Sequence, residues 1–207
     1  MLVIVQSRCS SKRFPNKALY PIKSVPLILR VLQNITKSRH VTDLIVSTST
    51  DKSDDRLVRL LKFFKYNYYR GSLKNVALRL LKTALKKKVK FFVRISGDSP
   101  LIDPKLIDNA IKKLTKNKNA DIITNIFPRC FPQGQSVEII KIKTLKKNIS
   151  KMTSFDKEHV TPYFYSNHQN FKIVNFKENS SYYKNLPKLS VDYKSDVKKI
   201  LKYIKND

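Results

Sequence analysis

Short apolar runs alternate along this chain with stretches in which apolar residues recur every three or four positions. Leu2 to Gln6 reads as a buried strand and Asp43 to Ser49 as a second. Tyr66 to Tyr69, Lys90 to Ile95 and Asp121 to Thr124 read as three more. Between them Leu27, Ile28, Val31, Leu32 and Ile35 form one helical stripe. Leu57, Leu60, Leu61 and Phe64 form another, and Ala77, Leu81, Ala84 and Leu85 a third. Ile107, Ile111 and Leu114 repeat the spacing after Pro104, a residue suited to a first helical turn. Such alternation predicts βαβ units on a mostly parallel sheet, with the stripes packed against it as core.

The second half is less regular. Val137 to Ile142 is expected as a strand, and Asp156 to Asn167 as a helix interrupted near Pro162. Lys172 to Asn175 and Leu189 to Val191 are expected as strands, and Val197, Ile200, Leu201 and Ile204 as the face of a closing helix. With no internal repeat and no Gly/Ser linker, the expected architecture is a single three-layer α/β/α domain over residues 1–207, built on a mostly parallel, Rossmann-like sheet. Open parallel sheets bind ligands beyond the carboxyl ends of their strands, so the loops after strands are where chemistry is sought.

Composition narrows the class. Hydrophobic residues make up 41% of the chain, enough for a packed core. No apolar run approaches the ~18 to 20 residues that span a bilayer, which predicts no membrane insertion. The chain opens on a strand-like run without the pattern of a signal peptide, and its two cysteines, Cys9 and Cys130, form no disulfide framework or CxxC pair. These features predict a cytoplasmic protein. The formal charge of +28 is carried mostly by lysines spread from end to end, the pattern that AT-rich coding produces, so no specific nucleic-acid partner is expected. Glycine is more telling: an average chain of this length carries ~14, and this one has three, Gly71, Gly97 and Gly134. Survivors of such depletion are expected where the backbone needs positive φ or close approach.

Two features carry chemistry. After the first strand, residues 7–19 read SRCSSKRFPNKAL, with Arg8, Lys12, Arg13 and Lys17 close together and Ser10 and Ser11 among them. Fixed cations with hydroxyls and backbone N–H groups suit a triphosphate, although neither GxxxxGK[ST] nor GxGxxG is present. Only 15 acids occur, and none in residues 1–42 or 56–97. Asp98, beside Gly97, therefore stands out just past an expected strand end, where a hard oxygen ligand suits magnesium. Asp103 precedes Pro104 and is expected to cap a helix.

The loop resembles the N-terminal signature of the cytidylyltransferases that activate acidic sugars, Q-x-R-x-x-S-x-R-[LF]-P-x-K, through Gln6, Arg8, Ser11, Arg13, Phe14, Pro15 and Lys17. It is most similar to the branch named for spore coat polysaccharide biosynthesis. Collinear likenesses follow in STSTDKSDD (47–55), YRGSLKNV (69–76), VRISGDSPLIDP (93–104), FPQGQSVEI (131–139), EHVTPY (158–163) and LSVDYKSD (189–196). There are departures: Ser10 and Asn16 stand where relatives often have glycine, Lys23 and Ser24 replace a Gly-Gly pair, Ser136 replaces an acid, and Lys194 a proline.

The resemblance implies the nucleotide-diphospho-sugar transferase type of this fold and transfer of CMP from CTP to a sugar acid or related sugar. It implies Arg13, Lys17 and Asp98 as catalytic residues, and Asp98 and Asp192 as ligands of magnesium. Gln6, Arg8, Ser10, Ser11, Ser49, Arg70, Gly71, Ser72, Arg94 and Gly97 would join them around the nucleotide. Gln133, Gly134, Glu138 and His159 would face the sugar. The implied partners are CTP and the sugar substrate, with a homodimer compatible. Two rivals are a glycosyltransferase of the same fold using a nucleotide-sugar donor, and a basic nucleic-acid-binding protein. The cation-rich loop argues for a triphosphate over the first, and the lack of any RNA-module signature argues against the second.

Overall fold

β1 (Leu2–Gln6) is a continuous apolar run because it is covered on both faces, and Val3, Ile4 and Val5 are wholly buried. The structure, a computed structural model, describes residues 1–177, 183 and 186–204. β1 sits near the middle of a seven-stranded sheet, parallel to β4 (Asp43–Ser49) on one side and β6 (Phe91–Ser96) on the other. β5 (Asn67–Gly71) extends the sheet beyond β4. On the far side come β8 (Glu138–Lys141), β7 (Ile122–Thr124) and β9 (Ile173–Asn175), in the order β5-β4-β1-β6-β8-β7-β9. Only β8 runs antiparallel to its neighbours. The sheet is thus mostly parallel, as the alternation of runs predicts.

The helices fill the predicted stripes. α1 (Leu27–Thr36) buries Leu27, Ile28, Val31, Leu32 and Ile35 completely, each contributing ~1.5–3 kcal/mol by removal from water. α2 (Asp55–Phe63), α3 (Val76–Lys86) and α4 (Pro104–Lys116) follow, the last capped by Asp103, whose carboxylate accepts from the Lys105 N–H at 2.8 Å. Two predicted core residues are not core. Phe64 falls one residue past the end of α2 and is 48% exposed, and Leu85 turns to solvent while Leu80 takes the buried position in α3. α5 (Ile142–Asn148), α6 (Ser154–His159), α7 (Pro162–Ser166) and α8 (Lys194–Leu201) complete the helices described. The predicted break near Pro162 is present, beginning at Val160.

Leu189 to Val191 is not a strand. The Leu189 N–H donates to the Gln133 carbonyl (2.7 Å) and the Val191 N–H to the Asp98 carbonyl (2.9 Å), so the segment bridges two loops instead of joining one ladder. A small ribbon, β2 (Pro21–Ile22) with β3 (Val25–Pro26), was not anticipated. Its two-residue turn holds Lys23 and Ser24 at φ 45° and 64°, the left-handed pair that favours glycine. Asn16 also adopts φ 57°, a conformation asparagine tolerates. No helix among the described residues is long and apolar enough to cross a membrane.

Candidate active site

The chain leaves β1 for β4 on one side and returns to β6 on the other, so the loops after β1 and β6 emerge side by side at the carboxyl edge. Their contact is tight. The Gly97 N–H donates to the Gln6 carbonyl at 2.8 Å, and a Cβ on Gly97 would lie 2.7 Å from the Ser7 Cβ. Here glycine is required by close approach. A cavity of about 860 Å³ opens above this junction, lined by six cations and three acids. Arg8, Lys12, Arg13 and Lys17 come from the first loop, Lys74 from the loop before α3, and Arg94 from β6.

At its floor Lys17 joins two carboxylates that are 94 residues apart in sequence. The Lys17 Nζ lies 3.0 Å from Asp98 Oδ2, 3.8 Å from Asp192 Oδ1 and 2.9 Å from the Val191 carbonyl. Arg13 pairs with the same Asp192 oxygen. Lys188 holds the other, Oδ2, at 2.8 Å. Burial alone would raise the Asp192 pKa, but Lys188, Lys17 and Arg13 outweigh it and hold the carboxyl below its ordinary value. Asp192 is therefore charged at neutral pH. Among the described residues no cluster of three or more metal-ligating side chains forms, so a metal here would meet two protein carboxylates.

The opposite wall is built on a strained turn. Val160 has φ 74° and ψ −68°, and the Thr161 N–H donates to the His159 carbonyl at 3.0 Å. This is a γ-turn of the rare form, costly for a β-branched residue. It is held because the Val160 side chain is wholly buried and because Arg94 grips both sides of it. Arg94 donates to the His159 carbonyl (3.2 Å) and the Thr161 hydroxyl (3.4 Å), and also to Gln6 Oε1 (2.9 Å). Its remaining partner is the Glu138 carboxylate. Arg94 and Gln6 thus reach the cavity already engaged with each other. Arg8 spans the mouth to Glu158 at 2.5 Å.

The structure brings most expected residues to this cavity: Gln6, Arg8, Ser10, Ser11, Arg13, Lys17, Arg94, Gly97, Asp98, His159 and Asp192 all line it. The Ser10 hydroxyl is buried there without any hydrogen-bond partner, a group that a ligand oxygen would satisfy. Other expected residues lie elsewhere. Ser49 is fully buried and donates to Asp54, which also accepts from the Thr48 hydroxyl (2.9 Å) and the Cys9 N–H (2.6 Å). That segment supports the first loop from beneath. Arg70 is locked to the Ser49 carbonyl (2.8 Å) and Asp55 (2.7 Å). A Cβ on Gly71 would lie 2.9 Å from the Arg79 Cγ, so Gly71 makes room for α3. The Ser72 hydroxyl accepts from the Asn75 N–H at 3.0 Å.

Of the residues expected toward the sugar, only His159 lines the cavity. Gly134, at φ 96°, packs so closely on the 189–190 backbone that a Cβ would sit 2.5 Å from the Leu189 carbonyl carbon, and Gln133 holds that same segment by its carbonyl. Glu138 is 2% exposed, paired with Arg94 and accepting from the Tyr165 hydroxyl at 2.5 Å. Sequence reasoning missed Lys74, Glu158 and Lys188, and the supporting Asp54. The spacing of Lys188, Asp192 and Asp196 every four residues was the available signal for Lys188. Cys9 is buried, and burial followed by the nearby Asp54 charge pushes its pKa up to about 12, which leaves it inert as a nucleophile.

A sequence model of the cytidylyltransferase family matches residues 2–206. The spore coat polysaccharide biosynthesis protein SpsF of Bacillus subtilis is 29% identical over 209 residues, covering 97% of this chain and 84% of its own length. A 3-deoxy-manno-octulosonate cytidylyltransferase of Geobacter sulfurreducens is 31% identical over 116 residues, 55% of this chain and 45% of that protein. A solved cytidylyltransferase from Leptospira borgpetersenii serovar Hardjo-bovis superposes with a TM-score of 0.90 at 26% identity, covering 99% of this chain and 88% of that one. With the family match running almost end to end over a sheet of the same architecture, the chain belongs to the cytidylyltransferase family.

Proposed function

We propose that this protein transfers CMP from CTP to the anomeric hydroxyl of a sugar acid or related sugar, releasing pyrophosphate, in cytoplasmic supply of surface polysaccharide precursors. The observation that carries this reading is the convergence of Asp98, Asp192, Lys17 and Arg13 on the floor of a cation-lined cavity. The substrate class follows the relatives' names, and the match to the family weighs against the glycosyltransferase reading. As the sugar hydroxyl gives up its proton to solvent and its oxygen bonds to the α-phosphorus, the bond from phosphorus to pyrophosphate breaks, and negative charge gathers on the departing group. Lys17 and Arg13 are placed to balance that charge, and Arg8, Lys12 and Lys74 to hold the triphosphate in line. Ser10, with its buried unpaired hydroxyl, and Ser11 are the neutral donors of the same loop.

Asp98 and Asp192 are the residues that would hold magnesium. Two carboxylates, completed by phosphate oxygens and water, are the donor set this ion usually takes. When bound, it would neutralise charge on the triphosphate. His159, which lines the same cavity, would face the sugar, while Gln133, Gly134 and Glu138 would act by supporting the wall.

Asp98→Asn and Asp192→Asn are each expected to abolish CTP turnover, with little further loss of turnover in the double variant, because groups acting as a unit are non-additive. Asp103→Asn is the control. It should keep both activity and stability, because asparagine keeps the side-chain oxygen that caps the helix. Near-normal rates in Asp192→Asn would remove Asp192 from the site, and equal use of all four nucleoside triphosphates would overturn the assignment to CTP.

A further inference from the structure

A second cavity opens at the opposite edge of the sheet. Asp121 precedes β7 and Lys141 ends the antiparallel β8, so both stand at the amino ends of the parallel strands. The active-site loops leave from the carboxyl ends. The volume is about 570 Å³, within the ~300–1,000 Å³ of small-ligand sites.

Lys141, Lys143, Lys147 and Lys151 all line this cavity. The last three recur every four residues along α5 and the 3-10 turn Ile149–Lys151, which sets them on one side of that segment. Like charges at that spacing repel. Among the described residues no carboxylate pairs with any of the four. The one acid on the wall, Asp121, is turned to neutral donors: it accepts from the Thr144 hydroxyl at 2.5 Å and from the Lys172 N–H at 3.0 Å. In the active-site cavity, by contrast, Arg8, Arg13 and Lys17 each have a carboxylate partner. Here, among the described residues, no lysine of the wall has one, and Asp121 is the single acid against four lysines.

The rest of the wall is not merely cationic. Tyr163 and Phe171 supply an aromatic side, their ring centroids 6.2 Å apart. Asn148 is buried beneath, its amide donating to the Thr144 carbonyl at 2.8 Å and its Oδ1 facing the Tyr163 hydroxyl at 3.5 Å. We propose that this cavity binds a phosphorylated ligand, its anionic group on Lys143, Lys147 and Lys151 and its less polar remainder against Tyr163 and Phe171. Phosphate fits better than a single carboxylate because several lysines line one cavity and phosphate offers three acceptor oxygens with up to two charges. A soluble phosphate ester and a phospholipid headgroup share this chemistry.

The test is nuclear magnetic resonance on ¹⁵N-labelled full-length protein, titrated at constant ionic strength with inorganic phosphate and with glucose 6-phosphate. A parallel arm measures sedimentation with phosphatidylglycerol vesicles. A soluble ligand should give saturable shifts at the amides of 143–151 and at Tyr163. These shifts should persist in Lys17→Gln and weaken at least ~tenfold in K143Q/K147Q/K151Q. Sedimentation with vesicles that the triple variant loses, without saturable shifts from soluble phosphates, would assign the site to a headgroup. Shifts unchanged in the triple variant, or following ionic strength alone, with no lysine-dependent vesicle binding, would overturn the proposal.

Discussion

Glu138→Gln removes one charge from the interior at almost constant volume. The side chain is 2% exposed, one carboxylate oxygen paired with Arg94 and the other accepting from the Tyr165 hydroxyl. Burial first, and then the Glu138 charge, raise the Tyr165 pKa well above its ordinary value, so that hydroxyl stays protonated and donates. Gln cannot balance the Arg94 guanidinium, whose side chain is only 14% exposed. Removing one partner of a buried pair costs ~3–5 kcal/mol, and because the Gln carbonyl still accepts a hydrogen bond, the loss should fall near ~3. For a chain of this size that corresponds to a fall in Tm of ~6–12 °C. Turnover should fall too, since a shifted Arg94 releases Gln6 and the His159 carbonyl together. Thermal denaturation followed by circular dichroism, with kcat and KM measured well below the transition, reads both effects. Replacing both partners, as Glu138→Leu with Arg94→Met, should restore neither stability nor activity, because Arg94 also holds the Val160 turn and Gln6, and Glu138 also accepts from the Tyr165 hydroxyl. A Glu138→Gln protein that melts within ~1 °C of the parent yet has lost turnover would refute this reasoning, since a loss of ~3 kcal/mol must shift the transition by several degrees. Glu138 would then serve the substrate directly.

Ser24→Gly should stabilise the protein by ~0.5–1 kcal/mol, the left-handed strain relieved less the extra freedom of the unfolded chain; denaturant unfolding measures it, and a destabilised variant would show that Ser24 is unstrained. Burial works against charge on Asp196, yet Lys188 and the backbone N–H groups of Asp192 and Tyr193 outweigh it and hold its pKa at about 2. Its contribution is therefore complete above an unfolded-state pKa of ~3.9 and lost as pH falls through about 2. Asp196→Asn should flatten the acid-side slope of stability between those values, and an unchanged slope would assign acid sensitivity to other carboxylates.

Much of the fold was legible from period alone. The run of β1 is apolar through Val5, and β4 and β6 each carry a shorter apolar run, because strands covered on both faces have no solvent side, and the stripes of α1 and α4 fall on one face because a helix buries one. Phe64 and Leu85 fit the same spacing but fell outside the core, since period marks a face and not where the helix stops. The candidate site was legible as a loop: seven signature residues lie within twelve positions, and eleven expected residues line one cavity. Ser49, Arg70 and Glu138 were misplaced for a common reason. Polar residues at strand ends can face a ligand or tie two loops together, and only the neighbours decide which.

By itself, then, the sequence determined the layered α/β architecture, the cation-rich loop after the first strand and the position of Asp98 just past a strand end, because these depend on local spacing and residue chemistry. The tertiary structure alone decided that Lys17 stands between Asp98 and Asp192, that Val160 is forced into a strained turn, and that Lys143, Lys147 and Lys151 share one cavity without a carboxylate partner among the described residues. Each of those depends on groups distant in the chain being held within a few ångströms, and electrostatic energy follows distance and burial rather than sequence separation.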